Sequence, residues 1–171
     1  MPWLSPKDMT AEKIESTEDH ITERALAESP IRLVPPDSVA FVFRSNILRR
    51  RLPIAHVPGS ATLNQDIRAL VPHHGLLARY LAQVCLANAA LIRAATVRTD
   101  GSMAAVQQTR LLDFRIPVPP LDEQERIVSA LDHVNMLMST LTDALGRELT
   151  ARRRQYEYHR NNLLTFDKAP A

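Results

Sequence analysis

The sequence predicts an α+β fold, a small mixed α/β domain followed by one long C-terminal coiled-coil helix. Three observations carry that reading. Short β-branched and aromatic runs alternate with helical patterns up to residue 118. The pair Pro119-Pro120 then closes that part. From Leu121 to Leu164 no proline and a single glycine, Gly146, interrupt an amphipathic pattern.

The opening residues 1–6 are punctuated by prolines and carry Trp3 and Leu4, apolar residues that an exposed start would not need, as though the chain were cut from something larger. Residues 21–28, ITERALAE, read as a short helix capped by Thr22 and stopped before Pro30. Residues 38–43, SVAFVF, lie between Pro35-Pro36-Asp37 and Arg44-Ser45-Asn46, which predicts a buried strand ending in a polar turn. A second run, residues 52–57, follows Arg49-Arg50-Arg51 and is broken by Pro58-Gly59-Ser60. The two runs predict a hairpin with a basic tip or rim. Asn64, Gln65 and Asp66 then form a polar break between apolar segments.

Residues 75–97 predict one largely buried helix, with Leu77, Leu81, Val84, Leu91 and Ile92 recurring on one side. A turn at Thr99-Asp100-Gly101-Ser102 ends it, a short helix over residues 104–111 follows, and residues 114–118 return as a strand. After Pro119-Pro120, Asp122, Glu123 and Glu125 sit where the positive end of a helix macrodipole favours carboxylates. Continuous helix from there to Leu164 would be about 66 Å long at about 1.5 Å per residue, too long to stand without a partner. Ile127, Leu131, Val134, Met138, Leu141 and Leu145 recur at spacings of 4, 3, 4, 3 and 4, a coiled-coil seam. Leu149, Tyr156 and Leu163 continue it after a stutter of four residues.

Composition narrows the function. With 171 residues, 45% hydrophobic and 23% charged, the chain can bury one core with an appendage. Only 5% of residues are aromatic, which argues against a single-strand stacking platform. The lone Cys85 excludes an internal disulfide or a multi-cysteine metal site, predicts a reducing, cytoplasmic setting, and is best read as a small buried hydrophobe. No apolar run reaches 18 residues, and the acidic start excludes a signal peptide, so no membrane role is expected.

No histidine pair has metal-ligand spacing, no nucleophile elbow occurs, and four glycines write neither a phosphate loop nor a dinucleotide fingerprint. No metal, no cofactor and no catalysis are therefore expected. Charge is unevenly spread: residues 1–30 carry net −4, residues 31–120 net +7 and residues 121–171 net −1. A basic middle is a footprint for a polyanion. Within it Arg44, Arg49, Arg50 and Arg51 suit phosphates and guanine edges, the plain alternative being a solvated basic loop. Asn64 and Gln65 suit adenine edges if they enter a groove, and otherwise cap a turn.

Two blocks then carry a resemblance. Residues 117–128, PVPPLDEQERIV, lead into a helix ending RQYEYHRNNLLTF at Phe166, and this resembles the conserved helical region of type I restriction-modification specificity subunits. Upstream, Pro2-Trp3-Leu4 with Asp8-Met9, then RSNILRR from Arg44 and LNQDIRAL from Leu63, resemble the C-terminal part of that family's target recognition domain. The resemblance covers nearly the whole chain.

It implies a non-catalytic subunit that reads one part of a bipartite DNA target and docks modification (methyltransferase) and restriction subunits. Its long helices would form an antiparallel coiled coil spacing two recognition domains. The implied organisation is a partial target recognition domain over 1–118 lacking its N-terminal strands, a spacer helix over 119–166 and a tail over 167–171. An incomplete domain of that kind would leave an unpaired sheet edge near Trp3 and Leu4. DNA contacts would fall on Arg44, Ser45, Arg49, Arg50, Arg51, Asn64 and Gln65. Spacer contacts would fall on Ile127, Leu131, Val134, Met138, Leu141, Leu145, Leu149, Tyr156 and Leu163. The partners expected are double-stranded DNA, the modification and restriction subunits, and a second copy or another half-subunit paired through the helix. The alternative is a regulatory or structural fragment that joins other subunits through its helix without touching DNA.

Overall fold

In the computed structural model, residues 1–165 are described, so Phe166 and the 167–171 tail lie outside the described residues. In chain order the elements are β1 (Pro2–Leu4), β2 (Asp19–His20), α1 (Glu23–Glu28), β3 (Leu33–Val34), β4 (Ser38–Val42), a 3-10 turn (Asn46–Arg49), β5 (Ile54–Val57), β6 (Ala61–Leu63), β7 (Ile67–Leu70), α2 (Ala78–Ala87), α3 (Ala89–Thr96), β8 (Val97–Arg98), β9 (Ala105–Val106), α4 (Gln108–Leu112) and α5 (Leu121–Leu164). They fall into two compact units, Met1–Val128 and Ser129–Ala171.

The first unit is organised on β4, whose five residues are all buried. An unbroken apolar run suits a strand covered on both faces. It pairs antiparallel with β5 on one edge, Phe41 opposite Ile54, and with β7 on the other, Val42 opposite Ile67. The hairpin expected from SVAFVF and the run after the arginines is therefore present, with the 3-10 turn in its connection. Leu48 from that turn, Leu81, Ala82 and Cys85 from α2, and Ile92 from α3 complete the core around the sheet. Thr22 caps α1 as expected, its hydroxyl accepting the Ala25 N–H at 3.1 Å.

A second sheet has the order β2-β1-β6-β3. Here the expectation of an unpaired edge at the start of the chain is corrected. β1 lies inside the sheet, antiparallel to β2 and parallel to β6, and Leu4 is fully buried. The Thr62 hydroxyl also donates to the Pro2 carbonyl at 2.6 Å. Three residues beside prolines give no periodic signal, and the β6 partner lies some sixty positions away, so this strand forms through long-range pairing alone.

Three further expectations change. The single helix over 75–97 is two helices broken at Asn88, whose backbone leaves helical geometry (φ −103°, ψ 11°) and whose side-chain amide adds a second donor to the Val84 carbonyl that its own N–H already takes. That local competition with the helical ladder lets α3 turn away. Ile92 is buried while its neighbour Leu91 is exposed. The helix over 104–111 is shorter than expected: residues 105 and 106 form β9 against β8, and only Gln108–Leu112 is helical. Residues 114–118 are no strand; they run irregularly towards Pro119, since Pro117 has no N–H for a ladder.

α5 is 44 residues long and begins within the first unit, where Gln124 and Val128 are buried. In the second unit every described residue from Ser129 onward is exposed. Three threonines there, Thr140, Thr142 and Thr150, return their hydroxyls to the carbonyls of Met136, Met138 and Gly146 at 2.9 Å each.

Candidate nucleic-acid interface

The arginine cluster sits where β4 leaves its sheet. Ser45 caps the 3-10 turn, its hydroxyl accepting the Ile47 N–H at 3.4 Å, and Leu48 anchors the turn by burying its side chain. The same turn is tied to the β8–β9 pair. The Ser45 N–H donates to the Ala104 carbonyl at 3.1 Å, the Val106 N–H donates to the Phe43 carbonyl at 2.8 Å, and Arg44 bridges Ala105.

The four arginines are placed differently. Arg44 is exposed, and its Nε donates to an Asp66 carboxylate oxygen at 2.7 Å. Arg49 spends its fork on backbone: Nη1 donates to the Thr99 carbonyl at 3.1 Å and Nη2 to the Gly101 carbonyl at 2.9 Å. Arg50 and Arg51 are exposed and have no side-chain partner among the described residues. Beneath them Arg93 donates to the Arg49 carbonyl at 3.1 Å, fixing the turn from below.

Asn64 and Gln65 also part company. The Asn64 side-chain oxygen accepts the Asp66 N–H at 2.8 Å, which closes the turn between β6 and β7. Gln65 at the apex of that turn is exposed and has no side-chain partner among the described residues. Asp66, which receives Arg44, also offers its carbonyl to the Phe43 and Arg44 N–H groups at 2.7 and 3.3 Å. The two polar breaks of the sequence, around 44–51 and 64–66, are therefore neighbours in the fold. Arg68 lies beside them, its guanidinium 5.5 Å from the Phe43 ring centroid.

Cys85 is buried in the core, and burial pushes its thiol up to about 11, so the thiolate needed for chemistry is scarce at neutral pH. Among the described residues no group of three or more His, Cys, Asp or Glu side chains could hold a metal ion. Among the same residues no helix is long and apolar enough to cross a membrane.

On the helix, Ile127 is half-buried within the first unit. Leu131, Val134, Met138, Leu141, Leu145, Leu149, Tyr156 and Leu163 are all exposed, from 37% at Leu131 to 77% at Leu163. At the stutter, Glu148 and Arg152 take the two positions where the apolar spacing would continue and pair with each other at 2.8 Å. The rod is also polarised. Residues 121–145 carry five carboxylates against Arg126, whereas residues 146–165 carry five arginines against Glu148 and Glu157. Identical rods laid antiparallel would therefore set the acidic half of each beside the basic half of the other.

Sequence reading missed Gln124. It is fully buried, with Oε1 accepting the Leu77 N–H at 2.9 Å and Nε2 donating to the Gly75 and Pro119 carbonyls at 2.8 and 2.7 Å. Both amide hydrogens and the oxygen are used, which fastens the base of α5 to the turn before α2. A buried amide on a charged helix start was the available signal, and the surrounding carboxylates hid it.

Residues 53–151 match the family model described as type I restriction modification DNA specificity domain, and the chain belongs to that family. It is 42% identical, over 98% of its own length, to the type I restriction enzyme EcoR124I/EcoR124II specificity subunit of Escherichia coli, of which it covers 42%. The chain thus spans about two fifths of that relative. Two solved structures share the fold. One is the HsdS subunit of Thermoanaerobacter tengcongensis, at 22% identity and TM-score 0.53, covering 68% of this chain and 26% of that one. The other is from work on complex assembly and conformational transition of the type I R-M system, at 21% identity and TM-score 0.57, covering 74% and 30%.

Proposed function

We propose that this chain is a non-catalytic DNA-recognition module of a type I restriction-modification complex, reading one half of a bipartite duplex target in the cytoplasm. The observation that carries this reading is the basic rim formed by Arg44, Ser45, Arg49, Arg50 and Arg51, with Asn64 and Gln65 on the adjoining turn. Arg50 and Arg51 have their charged groups in solvent, available to phosphates, while Gln65 offers an amide suited to a base edge.

The organisation follows the two implied parts, a target recognition domain to about residue 118 and a spacer helix from residue 119. The seam from Ile127 to Leu163, uncovered from Leu131 onward, pairs with a second copy or with another half-subunit. The charge polarity of the rod supports the antiparallel arrangement. The assembled pair then docks the modification and restriction subunits.

Binding of the full chain to duplex DNA across a salt series tests the reading. The logarithm of affinity should fall linearly with the logarithm of salt concentration, because arginines displace condensed cations from phosphates. A flat response would leave only the fragment that joins other subunits without touching DNA.

A further inference from the structure

We propose that the tip between β8 and β9, residues 99–103, reads base edges, and that Arg49 is a positioning residue for that tip instead of a phosphate contact. This rests on the DNA-binding reading above and adds to it an element that sequence reading took only for a turn.

The observation is how Arg49 is used. An arginine that meets phosphate needs its fork in solvent, but both terminal nitrogens of Arg49 are held by the Thr99 and Gly101 carbonyls, at 3.1 and 2.9 Å. Water would satisfy two exposed carbonyls equally well, so the contact does little for stability; what it does is fix where the tip stands. The brace is itself braced, since Arg93 donates to the Arg49 carbonyl at 3.1 Å. The strands behind the tip are fastened to the same turn through Ser45 with Ala104 and Phe43 with Val106. A two-stranded ribbon whose strands are two residues each would otherwise be poorly fixed.

The tip presents base-reading chemistry beside the phosphate-facing arginines. Thr99, Asp100, Ser102 and Met103 are all exposed, and Arg50 and Arg51 directly follow the arginine that holds them. Threonine and serine hydroxyls accept or donate to base edges, and methionine packs on apolar ones. Asp100 is the informative member. A carboxylate on a basic rim repels phosphate, yet it suits the amino donor of cytosine, and Arg98 holds it at 2.9 Å in a fixed direction.

The test is enrichment of bound sequences from a random duplex DNA library by the full chain, run for wild type, Asp100→Asn and Arg49→Lys, with salt-titrated affinity measured beside it. Asp100→Asn, on an exposed tip, should change the preferred base at one position by roughly tenfold. Arg49→Lys keeps the charge but loses the fork, so it should flatten preference while the salt slope stays at its wild-type value. Wild-type preferences in both variants, or a reduced salt slope in Arg49→Lys, would overturn the assignment while leaving DNA recognition standing. A wild-type chain that enriches no sequence and shows no salt-dependent binding would overturn both.

Discussion

Gln124 at the base of the long helix caps the start of α2 from outside, its side-chain oxygen taking the N–H of Leu77, 47 residues earlier, at 2.9 Å. The first N–H groups of any helix have no partner within it, and Leu77 makes no side-chain cap of its own. One fully buried amide therefore joins the α2 start, the Gly75 turn and the end of the proline segment. Gly75 can take part because its φ of +88° is open to glycine without strain.

Replacing Gln124 by Leu keeps the volume but leaves one donor and two acceptors unpaired in the interior. A loss of about 2–3 kcal/mol is expected in urea unfolding, with the slope unchanged. Unfolding at the wild-type midpoint would show that water replaces the amide.

Asp8 predicts a pH effect. Partial burial alone would raise its carboxyl, but the N–H of Glu18, the Ser5 hydroxyl and the Ser5 N–H outweigh that and hold it below its ordinary value. A lowered folded-state value means the contribution is fully present above the unfolded carboxylate range near pH 4 and is lost as pH falls through the folded value. Wild type should exceed Asp8→Asn in stability at neutral pH, and the gap should close on acidification. A gap independent of pH would assign the loss to packing.

Arg50 and Arg51 are expected to meet phosphate. Changing both to Ala should weaken binding to all duplexes alike and reduce the salt slope by about 2. Weakening confined to particular sequences would make them base readers.

The rod predicts association. Leu131→Asp with Leu141→Asp places two charges in the seam, and sedimentation should then show monomers where wild type shows pairs. A monomeric wild type at micromolar concentration would contradict the role given to the seam. Wild-type pairs cross-linked between the acidic half of one rod and the basic half of its partner would support the antiparallel order.

Legibility in the sequence followed range of interaction. The β4–β5 hairpin and α5 were readable because apolar runs and periodicity are local. β1 was not, because its pairing with β6 is long-range, and the Asn88 break and the irregular 114–118 segment depend on single polar or proline residues inside otherwise regular patterns. At the candidate interface, the arginine cluster was visible in the order of residues 44–51. Its internal division was not: Arg44 to Asp66, Arg49 to two carbonyls, Asn64 to its own turn, with Arg50, Arg51 and Gln65 left facing solvent. That division exists only once the 44–51 and 64–66 turns and the β8–β9 ribbon have been brought together.

With a second copy as the partner of the seam, two identical readers are held apart by one antiparallel pair of rods, and twofold symmetry then dictates the target. The direct measurement is the number of chains bound to the duplexes enriched from a random library, together with the enriched sequence itself. Two chains per duplex, on one short element repeated in inverted order across a constant gap, is the predicted result; one chain on a single uninterrupted element would contradict it.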